Sequence, residues 1–101
     1  MPVKDIVYLE TDERRVKVTL KDEIIYYSGK LTDLLSELPD FHFVRCHRSF
    51  AVNISKIHSV FRNKDMAVNG VDTLIPISRT YLKDVKNAIL RQLSEEAISV
   101  E

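Results

Sequence analysis

The chain has 101 residues, 45% hydrophobic and 30% charged, which is typical of one globular domain that buries a core without a metal or disulfide. No apolar run reaches the roughly 18 residues that span a bilayer, and no signal peptide is visible, so we expect a cytoplasmic location. Cys46 is the only cysteine, which excludes an intrachain disulfide and predicts a buried, small hydrophobic side chain.

The net charge is zero, but the charges are unevenly distributed along the chain. The stretch 41–64 has no aspartate or glutamate, whereas its basic residues are Arg45, Arg48, Lys56, Arg62 and Lys64. A neutral domain with such a segment can carry one positive face, although charges scattered over the surface would have the same composition.

The first part of the chain has the pattern of three β-strands. Residues 5–10 form a short apolar run rich in β-formers, and residues 15–20 alternate between apolar and polar side chains. Lys21-Asp22 is a plausible hairpin connection to a third strand at 23–27.

A change of period then predicts a short helix. Its apolar stripe has the spacing i, i+3, i+4 and i+7, with Ser28 as N-cap and Pro39 as the stop. The residues of the stripe are Leu31, Leu34, Leu35 and Leu38.

From Phe41 onward β character returns, interrupted by a polar cluster at 45–49. Asn69-Gly70 is a turn signal between two further β segments, 65–68 and 73–77.

The last segment, from about Thr80 to Ala97, has helical periodicity. The order of strands, short helix, strands and helix predicts a mainly β domain with helical additions. The apolar stripe of the last helix is Leu82, Val85, Ile89 and Leu93.

The segment 43–57 (FVRCHRSFAVNISKI) resembles the core signature of the LytTR family, roughly F-x-R-x-H-R-S-[FY]-x-V-N followed by an apolar residue. The start at 5–10 (DIVYLE), the leucine helix at 30–38 and the end at 75–79 (IPISR) match family patterns in the same order. Because these pieces cover nearly the whole chain, we expect one LytTR-type DNA-binding domain over residues 1–101. It would be either a natural stand-alone domain or a fragment of a longer regulator.

The chain departs from the family pattern at both ends. Family members usually have a further short strand before the first motif, whereas only residues 1–4 precede it here. The C-terminal helix is also long for the family.

The resemblance implies a mainly β fold with short helices. Its architecture would be an elongated LytTR-type β-β-β sandwich of three sheets, with one short internal helix and a C-terminal helix. It also implies sequence-specific binding of double-stranded DNA, as the output domain of a bacterial response regulator in a two-component system. In this family, loops at strand ends enter successive major grooves and the DNA bends. Operators are commonly paired repeats, which favours a homodimer on DNA. We expect no cofactor, metal, membrane or small-molecule partner.

Carried over residue by residue, the resemblance assigns base reading to Arg14 in the first loop, Arg48 in the H-R-S turn and Arg79 in the I-S-R ending. The arginine fork matches guanine O6 and N7, and each good pair discriminates by roughly 1–3 kcal/mol. The alternative is an ordinary surface ion pair, which is an equal expectation for Arg14 because Asp12 and Glu13 are adjacent.

Hydroxyl and basic side chains near these arginines are candidates for phosphate contacts, which position a protein without reading sequence. Ser78 and Thr80 lie near the start of the last helix, where free N–H groups favour an anion, and Ser78 also fits an N-cap. The phosphate candidates are Arg15, Ser49, Arg62, Lys64, Ser78 and Thr80, with Lys56, Lys83 and Lys86 as weaker ones.

Several prominent residues are assigned to structure instead. We expect His47 to form a hydrogen bond within its turn and Asn53 to bind backbone groups at a strand end. The residues assigned to the core are Phe43, Phe50, Val52, Ile57 and Leu74.

Three other functions are weaker interpretations of the same residues. Cys46 beside His47 suggests a thiol enzyme, but neighbouring side chains on a strand point to opposite faces. His42, Cys46, His47 and His58 match no trusted zinc spacing. A protein-interaction or dimerisation module is the more serious alternative, since it would not need to bind duplex with steep salt dependence. We therefore expect no catalytic residue.

Overall fold

The computed structural model describes residues 3–38 and 42–100, with the side chains described as far as residue 93. Within this part of the chain there are eight strands and two α-helices. The strands are β1 (Ile6–Asp12), β2 (Arg15–Leu20), β3 (Ile24–Ser28), β4 (Phe43–His47), β5 (Phe50–Asn53), β6 (Ile57–Val60), β7 (Asp65–Val68) and β8 (Ile75–Pro76). The helices are α1 (Leu31–Ser36) and α2 (Leu82–Val100), and single 3-10 turns lie at Val3–Asp5, Ile54–Lys56 and Arg79–Tyr81.

The described strands form two antiparallel sheets. The larger has five strands in the order β3-β2-β1-β5-β4, and the smaller has three in the order β6-β7-β8. The predicted mainly β fold with an internal and a C-terminal helix is confirmed. The family description of three sheets differs from the two found among the described strands, because β1 and β2 pair into the same sheet as β4 and β5.

One hydrophobic core lies between the five-stranded sheet and α1. Val16, Val18 and Leu20 alternate inward along β2, as the period of two in the sequence predicts. They pack with Leu31 and Leu34, so the leucine stripe of α1 covers this face of the sheet.

The opposite face of the same sheet packs on the smaller sheet and α2. Val52 of β5, Met66 of β7 and Val85 of α2 are fully buried in this second core. Neighbouring residues of β1 therefore belong to different cores, with Ile6 in the first and Val7 in the second.

One predicted core position was wrong, and the last residue of the predicted helix stripe is exposed. Leu74 is 50% exposed because it lies in the loop before β8, and Ile75 takes the buried position instead. Leu93 is 55% exposed because the buried contacts of α2 are made by Val85 and Ala88, and Leu93 lies beyond them along the helix.

The start and end of α1 also differ from the prediction. Ser28 is the last residue of β3, and Lys30 is the N-cap residue without a side-chain cap bond. Gly29 separates them with a φ of +140°, a conformation that side-chain-bearing residues rarely adopt. The helix ends at Ser36. The predicted stop, Pro39, lies outside the described residues.

Among the described residues, no helix has the length and apolarity required to cross a bilayer.

The first core predicts a large stability difference between two leucines. Leu9 has no exposed surface, so Leu9→Ala should lower the free energy of unfolding by about 2–5 kcal/mol through lost contacts and a cavity. Leu90 is 60% exposed on α2, and the control Leu90→Ala should change it by less than about 1 kcal/mol. Urea unfolding followed by circular dichroism measures both, and equal losses would contradict the assigned core.

Candidate nucleic-acid interface

Two turns that carry predicted base-reading arginines lie at the same end of the larger sheet. Strand β1 pairs antiparallel with both β2 and β5, which brings the Glu13-Arg14 turn beside the Arg48-Ser49 turn. The backbone N–H of Thr11, near the end of β1 that leads into the first turn, donates to the carbonyl oxygen of Ser49 in the second turn over 2.8 Å.

The third predicted arginine follows the last strand and lies against the end of β4. The N–H of Ser78 donates to the carbonyl oxygen of Cys46 over 2.8 Å, which places Arg79 beside the strand that leads into the Arg48 turn. The N–H of Ile77 donates to the carbonyl oxygen of Lys64 over 2.7 Å, so the β6–β7 connection is held next to the same segment.

A bulge at the end of β4 shapes this region. Arg45 faces Ala51 and His47 faces Phe50, so Cys46 is an extra residue in β4 relative to its partner strand. The polar cluster at 45–49 therefore divides between strand and turn, because β4 continues to His47 and only Arg48 and Ser49 form the turn.

Arg14 and Arg48 line one depression of about 480 Å³. Ser49, Lys30 and Arg45 belong to the same lining, together with a single acidic residue, Glu13. The depression therefore combines four cationic side chains with one carboxylate, which makes a positive site on a domain of zero net charge.

The three predicted base-reading arginines are exposed, and their guanidinium groups form no hydrogen bond or ion pair with the described side chains. Within residues 3–38 and 42–93, no hydrogen bond or ion pair involves the side chains of Arg14, Arg48 or Arg79. The ion-pair alternative for Arg14 is not formed, because Asp12 pairs with Arg15 at 3.2 Å instead.

Arg15, a predicted phosphate contact, already has two protein partners. Besides the pair with Asp12, its guanidinium lies 3.9 Å from the centre of the Tyr26 ring. The side chains of this ion pair are 53% and 40% exposed, so water screens their attraction and a phosphate could still approach.

Arg62 and Lys64 line a different groove, of about 590 Å³, between the β6–β7 connection and α2. Lys86, a weaker phosphate candidate, lines the same groove from α2. This basic groove adjoins the segment of Arg79, because the carbonyl oxygen of Lys64 accepts the N–H of Ile77. The groove shares no lining residue with the depression of Arg14 and Arg48.

The remaining phosphate candidates flank Arg79. Ser78 is the N-cap residue of the 3-10 turn Arg79–Tyr81, but its hydroxyl makes no capping hydrogen bond. Thr80 is exposed on the same turn. The predicted N-cap position of Ser78 is thus found, without the side-chain bond that usually accompanies it.

His47 and Asn53 have the structural roles that were predicted. The N–H of Ser49 donates to His47 Nδ1 over 3.0 Å within the turn. Asn53 is 2% exposed, donates from Nδ2 to the carbonyl oxygen of Ile6 over 2.8 Å and accepts the N–H of Ser55. It thereby pairs backbone groups where β1 begins and β5 ends.

The sequence patterns missed Lys30 and Arg45 as members of the depression. Lys30 lies 16 residues from Arg14 along the chain and is brought near it by the pairing of β2 with β3, which the N–H of Gly29 extends by donating to the carbonyl oxygen of Arg14 over 3.2 Å. Arg45 matches a motif position, but nothing in the spacing shows which groups its guanidinium contacts.

Comparison with known proteins identifies the family of this chain. The family model of the LytTr DNA-binding domain matches residues 1–90. The chain belongs to the LytTr DNA-binding domain family. Helix α2 continues past the matched region, since it ends at Val100.

Two curated relatives carry the same kind of domain within longer chains. The transcriptional regulatory protein YpdB of Escherichia coli K12 is 35% identical over 89 residues, which cover 84% of this chain and 36% of YpdB. The sensory transduction protein LytT of Bacillus subtilis 168 is 36% identical over 89 residues, covering 85% of this chain and 37% of LytT. The chain thus spans little more than a third of the length of these relatives.

A solved structure shows the same LytTr fold. The LytTr DNA-binding domain of a Bacillus cereus protein, described as a methyl-accepting/DNA response regulator, superposes with a TM-score of 0.79. The match covers 88% of this chain and 84% of the other at 22% identity.

Burial of Cys46 predicts an unreactive thiol and a loss of stability in alkali. Burial raises its pKa from the ordinary 9.0 to about 12, so the folded thiol remains protonated where the unfolded thiol ionises. The free energy of unfolding should then be unaffected below pH 9 and fall as pH rises from 9 towards 12, by up to about 1.4 kcal/mol per unit. Urea unfolding across this range, compared with Cys46→Ala, isolates the contribution of the thiol; parallel curves would contradict it.

Proposed function

We propose that this domain reads double-stranded DNA by sequence, with Arg14, Arg48 and Arg79 as the base-contacting side chains. The observation that supports this most strongly is that these three arginines are exposed, lack protein partners among the described side chains and project from loops held together by backbone hydrogen bonds. A pre-positioned guanidinium with unused donors suits bidentate recognition of guanine.

The two positions of the arginines support contact with successive major grooves. Arg14 and Arg48 share one depression, whereas Arg79 lines neither groove and follows the segment that is hydrogen-bonded to Cys46 of β4 and to Lys64 of the second basic groove. An elongated reading surface of this kind needs no recognition helix, since strand-end loops enter the grooves and the backbone contacts between them set the register.

Phosphate contacts would come from the polar side chains around the arginines. Lys64 and Arg62 line the groove next to Arg79, and Lys86 extends it along α2. Because exposed ion pairs contribute little, the pairing with Asp12 leaves Arg15 as a further candidate. The other candidates are Ser49, Ser78 and Thr80.

In the whole protein the domain would act as the output module of a bacterial transcription regulator in the cytoplasm. We propose binding to paired repeats by two copies, as a homodimer on DNA, because one neutral domain provides few phosphate contacts and little non-specific affinity. No catalytic residue, cofactor or metal has a role in this proposal.

The decisive experiment is a selection from randomised duplex DNA with this chain, followed by fluorescence anisotropy of the selected duplex against a scrambled one at two salt concentrations. The proposal expects an enriched motif that binds more tightly than the control and weakens steeply with salt. If no motif is enriched for the chain or for an artificially dimerised form, a protein-interaction module becomes the better interpretation.

Removal of one base-reading arginine should affect one part of the selected motif. Arg48→Ala and Arg79→Ala should each cost roughly 1–3 kcal/mol on the selected duplex, because one bidentate contact is lost. Each should relax the preference at its own base pair. Arg91→Ala, an exposed arginine of α2 outside both grooves, is the matched control and should bind like the parent. Parental preference in both variants would refute the site assignment.

Loss of a phosphate contact should have a different signature. Lys64→Gln should weaken selected and scrambled duplexes alike and reduce the slope of log affinity against log salt by about one. Lys21→Gln is the control, because Lys21 lies at the opposite end of β2 from Arg15. An unchanged slope for Lys64→Gln would remove this residue from the DNA surface.

A further inference from the structure

The Arg45 guanidinium lies where three segments of the chain meet. Its Nη2 donates to the carbonyl oxygen of Arg48 over 2.5 Å, and its Nε forms a longer bond of 3.4 Å to the carbonyl oxygen of His47. Its Nη1 donates to the hydroxyl of Thr32 in α1 over 2.8 Å. The guanidinium carbon lies 6.0 Å from the centre of the Tyr81 ring, two residues after Arg79.

These contacts connect the Arg48 turn to parts of the fold that its own backbone does not reach. The turn follows a bulge, where the ladder between β4 and β5 is interrupted and Cys46 has no partner residue in β5. Two hydrogen bonds from a charged, planar donor to successive carbonyls restrain the orientation of both peptide groups. The bond to Thr32 anchors that donor to α1.

The same contacts argue against Arg45 as a direct reader of DNA. Each of its three guanidinium nitrogens already donates to a protein oxygen, and the residue is half-buried. Arg48, by contrast, is exposed and its guanidinium has no partner in the described side chains. The two arginines line one depression but differ in what remains free to bind.

We propose that Arg45 is a positioning residue for DNA reading: it clamps the Arg48 turn against α1 so that Arg48 meets its base pair in a fixed orientation. This inference rests on the proposed function, and it adds a residue whose effect on specificity passes through Arg48. The contact near Tyr81 extends the clamp towards the segment of Arg79.

The test is a double-mutant cycle on the selected duplex and on duplexes changed at each position. Arg45→Met should lower affinity about tenfold and remove the preference only at the base pair that Arg48 reads. In an Arg48→Ala background the same change should cost almost nothing further, because the residue it positions is gone. Arg45→Lys keeps the charge but loses the fork, so it should resemble Arg45→Met and not the parent.

Thr32→Val provides a second route to the same question. It removes one acceptor of the clamp at an exposed position of α1 and leaves every charge in place. We expect a smaller loss, of about threefold, at the same base pair and an unchanged salt slope. Thermal unfolding of each variant identifies any loss that comes from folding, and Thr32→Val keeps the test valid if Arg45→Met does not fold.

Three results would overturn the inference. A uniform loss on all duplexes with a shallower salt slope, retained in the Arg48→Ala background, would make Arg45 a direct phosphate contact. Parental discrimination in Arg45→Lys and Thr32→Val, while Arg48→Ala loses it, would leave the proposed function intact and refute the clamp alone. A parent chain that selects no duplex would refute the proposed function and the clamp with it.

Discussion

The antiparallel pairing of β1 with both β2 and β5 is the constraint on which the rest of the structure depends. It places two turns from distant parts of the chain at one end of the sheet, and the hydrogen bond from Thr11 to Ser49 joins them. The pairing is secured by burial, since Ile6 and Leu9 have no exposed surface and Asn53 binds the backbone of Ile6. Hydrophobic burial in the strands therefore determines where the exposed arginines stand.

Local electrostatics explains how a domain of zero net charge can present a positive site. Asp12 is paired with Arg15, which leaves the neighbouring Arg14 without a carboxylate partner among the described side chains. Arg48 lies in a stretch of sequence that contains no acidic residue. At physiological salt, charges interact within about 8 Å, so the local balance matters more for a ligand than the sum over the chain.

The bulge in β4 serves the core and the site together. Cys46, the extra residue of the bulge, is fully buried in the second core, where desolvation keeps its thiol neutral. The backbone carbonyl oxygen of Cys46 accepts the N–H of Ser78. The residues on either side, Arg45 and His47, are thereby directed towards the turn and bond within it. A thiol that is buried and protonated, beside a histidine that already accepts a backbone N–H, is poorly suited to nucleophilic chemistry.

The sequence alone determined the order of strands and helices along the chain, the inward alternation of Val16 and Val18 and the family, because these follow from local periodicity and from a motif that covers most of the chain. Only the tertiary structure decided which charges are free. Asp12 forms its ion pair with Arg15 and not with Arg14, and Arg45 donates hydrogen bonds to two carbonyl oxygens and one hydroxyl. These contacts depend on distances between side chains in the folded domain, which the spacing of residues along the chain does not encode. The exposure of Leu74 has the same origin, since packing of the folded domain decides that its neighbour Ile75, and not Leu74, is buried in the core.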